Sequence, residues 1–153
     1  MSRWLAALIL CGIATTAVAQ SQRFDVRPLA QQLSTAELDA ALSGRTLAGA
    51  YNFSREGEAR SFYSEVHTDD GRTEYTEGPL TATGQWFADD DVVCYAYDHS
   101  LLQGGCFRVY QVANCYYFYS TSVPQMPDEL DRDYWVARAT QDGEEPRCEG
   151  LIS

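Results

Sequence analysis

The sequence predicts a mainly β fold: an antiparallel meander of about seven or eight short strands, curled into a bent sheet or small barrel, with one short N-terminal helix. After Gly44, apolar and polar residues alternate with a period of two along most of the chain, which is typical of strands with one buried face. Turn residues such as Asp69-Asp70-Gly71 separate these runs at near-regular intervals. A sheet with this many short strands leaves fewer unpaired edges when it curls on itself.

Residues 1–19 are typical of a secretory signal. Arg3 gives the positive start, an uncharged apolar stretch follows, and Ala17-Val18-Ala19 fits the small-residue pattern of a cleavage site. The alternative is a membrane anchor, but the apolar run is shorter than the roughly 20 residues that a membrane span needs. We expect cleavage after Ala19 and a periplasmic or secreted protein with no stable membrane anchor. The mature chain then has a polar lead-in over residues 20–32 and a single disulfide-bonded β-domain over residues 33–153.

The chain of 153 residues has a formal net charge of -11, from 22 acidic residues and 11 basic residues that are all arginine. Loss of residues 1–19, which hold one arginine and no acid, leaves 134 residues and a charge of -12. This charge argues against nucleic acid and anionic membrane surfaces as partners, since both attract clustered Lys and Arg. The 45% hydrophobic content argues against a disordered chain.

A short helix is predicted over residues 33–42. Ser34 can cap it, and Glu37 three residues later completes the pattern of a capping box. Gly44 is placed to end it. Leu38 and Leu42 lie on one face, so the helix can dock on a sheet.

The strands follow in order. They are predicted over residues 46–53, 61–68, 72–77, 81–87, 92–97, 106–112, 115–120 and 134–140. The alternation places one set of side chains inside, namely Val93, Tyr95, Tyr97, Phe107, Val109, Tyr116 and Phe118. The opposite face carries Cys94, Cys106, Arg108, Tyr110, Cys115, Tyr117 and Tyr119.

Four cysteines remain after the signal, and an even number in an exported chain predicts two disulfides. Three pairings are possible. A turn at Ala113-Asn114 would set Val112 opposite Cys115, which leaves Cys106 about 20 Å away along its strand at the usual rise per residue. This geometry favours the pairings Cys94–Cys106 and Cys115–Cys148. A zinc site is the alternative, but the spacing of His67 and His99 relative to the cysteines does not match one.

Several local motifs resemble a family of small exported all-β domains of unknown function that is common in alphaproteobacteria. They are the run 41–49 with its Gly44 and Gly49, the turn Asp70-Gly71, Gly84-Gln85-Trp86, Val93-Cys94-Tyr95 and Cys106-Phe107-Arg108-Val109. The resemblance covers about residues 33–120. It implies an exported β-domain with a Cys94–Cys106 bridge, and it implies no reaction.

No catalytic constellation or cofactor motif emerges from the residues, and we predict neither an enzyme nor a cofactor. Asp89-Asp90-Asp91 is interpreted as a solvated turn, and the group Asp128, Glu129, Asp131 and Asp133 lacks the spacing of a calcium loop. His67 is expected at a strand edge beside Asp69 and Asp70. His99 beside Ser100 is interpreted as a polar loop, since no nucleophile motif accompanies it.

The candidate binding surface combines Arg108, Tyr110, Tyr117 and Tyr119 on the outer face, because tyrosine offers a large contact area with a polar tip. The competing interpretation is ordinary β propensity. The loop with Leu101 and Leu102 either contacts a partner or folds back over the barrel, and the second is favoured.

Three functions follow as hypotheses. The first is a non-enzymatic periplasmic or envelope-associated binding protein with an unidentified partner, either a small ligand or a basic protein. The second is an acidic inhibitor of a cationic lysozyme-like enzyme, by analogy in size and charge. The third and least favoured is a hydrolase that uses His99 and scattered acids.

Overall fold

The computed structural model describes residues 26–27, 30–52, 61–102, 104–122 and 135–148. The predicted signal over residues 1–19, most of the lead-in and the acidic group at residues 128–133 lie outside the described residues. In the described part the strands are β1 (Gln31–Gln32), β2 (Arg45–Tyr51), β3 (Phe62–His67), β4 (Arg72–Glu77), β5 (Leu80–Asp89), β6 (Val92–Tyr97), β7 (Gly105–Val112), β8 (Cys115–Ser120) and β9 (Ala137–Gln141), and the helix is α1 (Thr35–Leu42).

Strands β2 to β9 form a closed antiparallel barrel of eight strands. Each strand from β2 to β8 pairs with its neighbour in sequence, and β9 lies between β8 and β2 and closes the circle. The described residues therefore confirm the mainly β meander and its closure. The short β1 was not predicted: it pairs with Tyr110 and Gln111 of β7, on the edge that β6 leaves free at that point.

The helix α1 lies across one end of the barrel. Its first residue, Thr35, donates its amide hydrogen to Asp91 in the β5–β6 turn at 2.8 Å. Beyond its last turn, the Ser43 hydroxyl donates to Asp69 in the β3–β4 turn at 2.8 Å. Leu38 and Leu42 are fully buried in the same apolar cluster as the inner residues of the barrel. We call this the helix end of the barrel.

The predicted capping box is present. The Ser34 amide and hydroxyl both donate to the Glu37 carboxylate at 2.8 Å, which holds the pKa of Glu37 below its usual value. Gly44 follows the helix with a φ of 66°, a left-handed conformation that glycine adopts without steric cost. The sequence thus predicted both ends of α1, although the helix begins two residues later than expected.

Replacing Ser34 by alanine should lower the free energy of unfolding by about 1 kcal/mol, because the helix loses its capping side chain. Urea unfolding followed by tyrosine fluorescence measures the change, with Ser100→Ala in an exposed turn as the control. An equal loss in both variants would contradict a role of Ser34 in capping.

Both predicted disulfides are present, Cys94–Cys106 and Cys115–Cys148. The register that favoured them is confirmed as well, since Val112 lies opposite Cys115 and Val109 opposite Phe118. Two disulfides indicate an oxidising, extracytoplasmic environment.

A second apolar cluster lies on the outside of the barrel. Its buried members are Val26, Val112, Cys115, Tyr117, Tyr119, Trp135 and Cys148. Segments remote in sequence therefore cover the outer face of β8, and the Cys115–Cys148 bond ties one of them to the sheet.

Candidate functional site

Polar side chains with buried tips gather inside the barrel on β3 and β4. Along β3, Tyr63, Glu65 and His67 alternate onto the inner face, and all three are buried. Glu65 pairs with Tyr75 across β3–β4, and His67 pairs with Thr73. The inner face of this part of the sheet is therefore built from ionisable and hydroxyl groups.

Glu65 is only 5% exposed. Its Oε1 atom accepts hydrogen bonds from the Tyr97 hydroxyl at 2.6 Å and from the Thr73 hydroxyl at 2.9 Å. Burial disfavours the charged form more than these two bonds favour it, and raises the pKa of Glu65 to about 7. The carboxyl group thus changes charge near neutral pH.

His67 has no exposed surface. Its Nε2 atom shares a hydrogen bond of 3.0 Å with the Tyr95 hydroxyl, and its Nδ1 atom has no well-aligned partner among the described residues. Burial lowers the pKa of His67 to about 4, although the nearby carbonyl groups of Arg45 and Glu65 partly oppose this effect. The ring is therefore neutral at pH 7. The expectation of an edge position beside Asp69 and Asp70 was wrong, because the side chain alternates inward.

Aromatic rings form a continuous arc around the interior. Ring centroids lie 5.0 Å apart for Tyr51–Tyr63, 5.8 Å for Tyr63–Tyr75, 5.5 Å for Tyr75–Tyr97, 6.2 Å for Tyr95–Tyr97, 6.1 Å for Tyr95–Phe107 and 6.3 Å for Phe107–Phe118. These contacts join six of the eight barrel strands. They are within the range in which aromatic pairs stabilise a core.

Two glycines make room for these rings. A Cβ atom at Gly49 would lie 2.7 Å from the ring of Tyr63, and one at Gly84 would lie 3.1 Å from the ring of Tyr97. A Cβ atom would also collide with the neighbouring backbone, since it would lie 2.5 Å from the Arg138 carbonyl oxygen at Gly49 and closer still to the Ala96 carbonyl oxygen at Gly84.

A second polar group lies at the end of the barrel opposite the helix. The Tyr51 and Tyr75 hydroxyls are 2.8 Å apart, and Tyr75 donates to the Glu77 carboxylate at 2.9 Å. Tyr51, Glu77 and Tyr97 are half-buried, and each ends its strand. We call this end, with Tyr51, Tyr75, Glu77 and Tyr97, the tyrosine end.

The candidate surface on the outer face is only partly available. Tyr117 and Tyr119 point away from the interior as expected, but each is 4% exposed, because Val26, Trp135 and Cys148 pack over them. The expectation that these two rings form an exposed surface was therefore wrong.

The other members of the candidate surface remain accessible to different degrees. Arg108 is exposed, and Tyr110 is half-buried and donates to Gln32 at 3.0 Å. Leu101 is 76% exposed, whereas Leu102 packs against the barrel core. The loop thus folds back over the barrel with one of its two leucines.

Asp91 and His99, the other candidates from the sequence, make contacts within the described residues that stabilise turns and the start of the helix. Asp91 lies in the β5–β6 turn and binds the start of α1. The His99 ring accepts a hydrogen bond from the Leu101 amide at 3.2 Å, and no described residue gives that ring a carboxylate or hydroxyl partner. A hydrolytic triad around His99 has no support from these contacts.

Sequence reasoning missed Glu65, His67, Thr73 and Tyr75 as a group. The signal was present in the period of two, since Tyr63, Glu65 and His67 share a face. The other face of β3 holds the apolar residues Phe62 and Val66, but Phe62 is 70% exposed. In β4 and β6 the same alternation places tyrosines on the inner face. Comparison of the three strands would therefore have identified the inner face of β3.

Replacing Tyr97 by phenylalanine should raise the pKa of Glu65 further, because the burial remains while one of two stabilising hydrogen bonds is lost. The free energy of unfolding should fall by about 2 kcal/mol at pH 8 and by about 1 kcal/mol at pH 5, since a bond to a charged acceptor is the stronger one. Carbon-13 NMR of the Glu65 carboxyl group measures the pKa. Tyr110→Phe on the outer face is the control, and an unchanged pKa in Tyr97→Phe would contradict the assignment.

No family model, curated protein or solved structure matches the chain at a significant level. Within the described residues, no helix has the length and apolar character to span a membrane. The functional argument therefore depends on the side chains themselves.

Proposed function

We propose that the protein is a non-enzymatic binding protein of the bacterial periplasm or envelope, and that it holds a small ligand at the tyrosine end. The signal-like residues 1–19, with the small residues before Gln20, support export through a cleaved leader. The two disulfides are consistent with that compartment.

The observation that carries the proposal is the buried carboxyl group of Glu65 among aromatic rings. A buried acid whose two bonds come only from hydroxyl groups costs free energy relative to an apolar side chain of the same volume. Perturbed acids of this kind concentrate at functional sites. Glu65 lies opposite Tyr75, whose hydroxyl contacts Tyr51 and Glu77 at the tyrosine end, and it accepts a hydrogen bond from Tyr97.

The distribution of surface residues favours the same end. Phe62 at the start of β3 and Leu101 after β6 are 70% and 76% exposed, and both lie at the tyrosine end. Each of these apolar side chains would lose contact with water if a ligand or partner bound against it. At the opposite end, α1 covers the barrel with the buried side chains of Leu38 and Leu42.

Amide NMR tests this proposal. The protein, exported and purified from the periplasm of an expressing bacterium, is titrated with benzyl alcohol, benzylamine and benzoate as three probes of different charge. Shift changes that centre on Tyr51, Glu65, Tyr75 and Tyr97 would support binding at the tyrosine end. Changes centred elsewhere, or none at about 10 mM of every probe, would refute it.

The charge distribution favours one second candidate, an inhibitor of a cationic enzyme. Exposed acids gather at the helix end in three turns and on α1, namely Asp39, Asp69, Asp70, Asp89, Asp90, Asp91, Asp142, Glu144 and Glu145. Such a field would steer a basic protein toward that end. A salt-sensitive inhibition of lysozyme at micromolar concentration would support this role, and full lysozyme activity at low ionic strength would exclude it for that enzyme.

A further inference from the structure

We propose that the ligand of the tyrosine end is an organic cation, a protonated amine whose ammonium group contacts Glu65 beside the rings of Tyr75 and Tyr97. The inference rests on the proposed function and specifies the chemistry of its ligand. It follows from the rings, from the bonding of the carboxyl group and from the sign of the charges inside the barrel.

The rings surround the carboxyl group on several sides. Tyr75 lies directly opposite Glu65 on the neighbouring strand, and Tyr97 reaches Glu65 through its hydroxyl group at 2.6 Å. The centroids of the Tyr75 and Tyr97 rings are 5.5 Å apart, and the two ring planes are inclined to each other by 57°. The face of a tyrosine ring attracts a cation, and desolvation strengthens the attraction.

One oxygen of Glu65 remains available. Both hydrogen bonds from Tyr97 and Thr73 end on Oε1, and Oε2 receives no hydrogen bond from any residue within the described ranges. Oε2 is not one of the fully buried polar atoms that lack a partner, so it can accept a hydrogen bond from a ligand. An ammonium group would supply both a donor and the opposite charge.

Two acidic residues lie on the inner face of β3 and β4 within the described part of the chain. Glu65 and Glu77 both lie on the inner face, with Glu77 two residues beyond the partner of Glu65. At that diagonal spacing the two backbones are about 7–8 Å apart. No described arginine points inward here: Arg108 lies on the outer face, and Arg138 stacks outside the barrel on Trp135 at 5.6 Å. The carboxylate form of Glu65 attracts a cation and repels an anion.

Binding should release a proton from Glu65. The ionisable groups that face it are Tyr63, Tyr75, Tyr95 and Tyr97, whose pKa values burial raises above 10, and His67, whose pKa burial lowers to about 4. Glu65, with a pKa of about 7, is the one of these six groups that titrates between pH 5.5 and 8. An ammonium group stabilises its carboxylate form, so the affinity should rise roughly tenfold per pH unit below pH 7 and then level off.

Calorimetric titration with benzylamine tests the inference, with benzyl alcohol as its neutral counterpart. We expect benzylamine to bind more tightly, to release close to one proton at pH 6 and to gain affinity up to pH 7. In Glu65→Gln the affinity for benzylamine should fall at least tenfold and lose its pH dependence. Glu74→Gln, on the exposed outer face of β4, should leave both unchanged.

The outcomes separate the two proposals. Tighter binding of benzyl alcohol with uptake of a proton would refute the cation and leave a ligand that accepts a hydrogen bond from the protonated carboxyl group. Absence of binding by either probe would refute the ligand class and the proposed function together. If Glu65→Gln fails to fold, the number of protons that the wild-type protein releases on binding benzylamine at pH 6 still tests the inference. Release of close to zero protons overturns it.

Discussion

Replacing both Cys115 and Cys148 by alanine is expected to lower the melting temperature by roughly 10–20 °C. The disulfide closes a loop with a sequence separation of 33 residues. In the chain-entropy model, its removal returns about 4 kcal/mol of conformational freedom to the unfolded chain. For a domain of this size each kcal/mol corresponds to a few degrees of melting temperature.

The position of this disulfide adds to the loss. Cys115 has no exposed surface, and Cys148 packs beside Tyr117, whose hydroxyl donates to the Cys148 carbonyl at 2.9 Å. Two alanines remove buried sulfur atoms and leave the segment before Cys148 attached mainly through Asn114, which binds the backbone of Glu145 and Arg147. We therefore expect the cover over Tyr117 to open well before the barrel unfolds.

The matched control is the double variant Cys94→Ala/Cys106→Ala. These cysteines are direct partners on β6 and β7 with a separation of 12 residues, for which the same model gives about 3 kcal/mol. Calorimetry of the two variants should therefore show the larger loss for Cys115 and Cys148, and hydrogen exchange should rise at Tyr117 only in that variant. The reverse order would contradict the importance of the C-terminal attachment.

Local chemistry made much of this fold predictable. The two-residue turn at Ala113-Asn114 fixed the β7–β8 register, and that register alone made the pairing of Cys106 with Cys115 geometrically impossible. The capping box at Ser34 and Glu37 fixed the start of α1 to within two residues. In each case the decisive interaction lies within a few residues along the chain, where sequence patterns carry the most information.

The features that were missed depend on long-range contacts. Burial of Tyr119 requires Val26, 93 residues away, whose amide donates to the Tyr119 hydroxyl at 3.2 Å. The inward direction of Glu65 depends on whether a partner strand offers hydroxyl groups at the correct height, which Tyr97 does from 32 residues away. A charged residue on a predicted strand is assigned to solvent by default, and only the closed barrel reverses that assignment.

The buried pair Glu65 and His67 should produce opposite effects of pH that nearly cancel in the wild-type protein. For Glu65, burial raises the pKa from 4.5 in the unfolded chain to about 7. Its contribution to stability is complete below pH 4.5 and is lost as the pH rises to 7. For His67, burial lowers the pKa from 6.5 to about 4, so its contribution is complete above pH 6.5 and is lost as the pH falls to 4. Each shift corresponds to about 3 kcal/mol over its full range.

Between pH 5 and 6.5 the folded protein holds one proton on Glu65 and the unfolded chain holds one on His67, so the proton counts are equal and the stability is flat. In Glu65→Gln only the effect of the histidine remains, and the free energy of unfolding should fall by about 2 kcal/mol from pH 6.5 to 5. In His67→Gln only the effect of the acid remains, and the free energy of unfolding should fall by about 2 kcal/mol from pH 5 to 7. Urea unfolding at each pH measures these slopes, and the exposed variant Glu74→Gln should keep the flat profile of the wild type. Equal slopes in Glu65→Gln and His67→Gln would contradict the opposite protonation of the two buried groups, and with it the electrostatic basis for a cation at the tyrosine end.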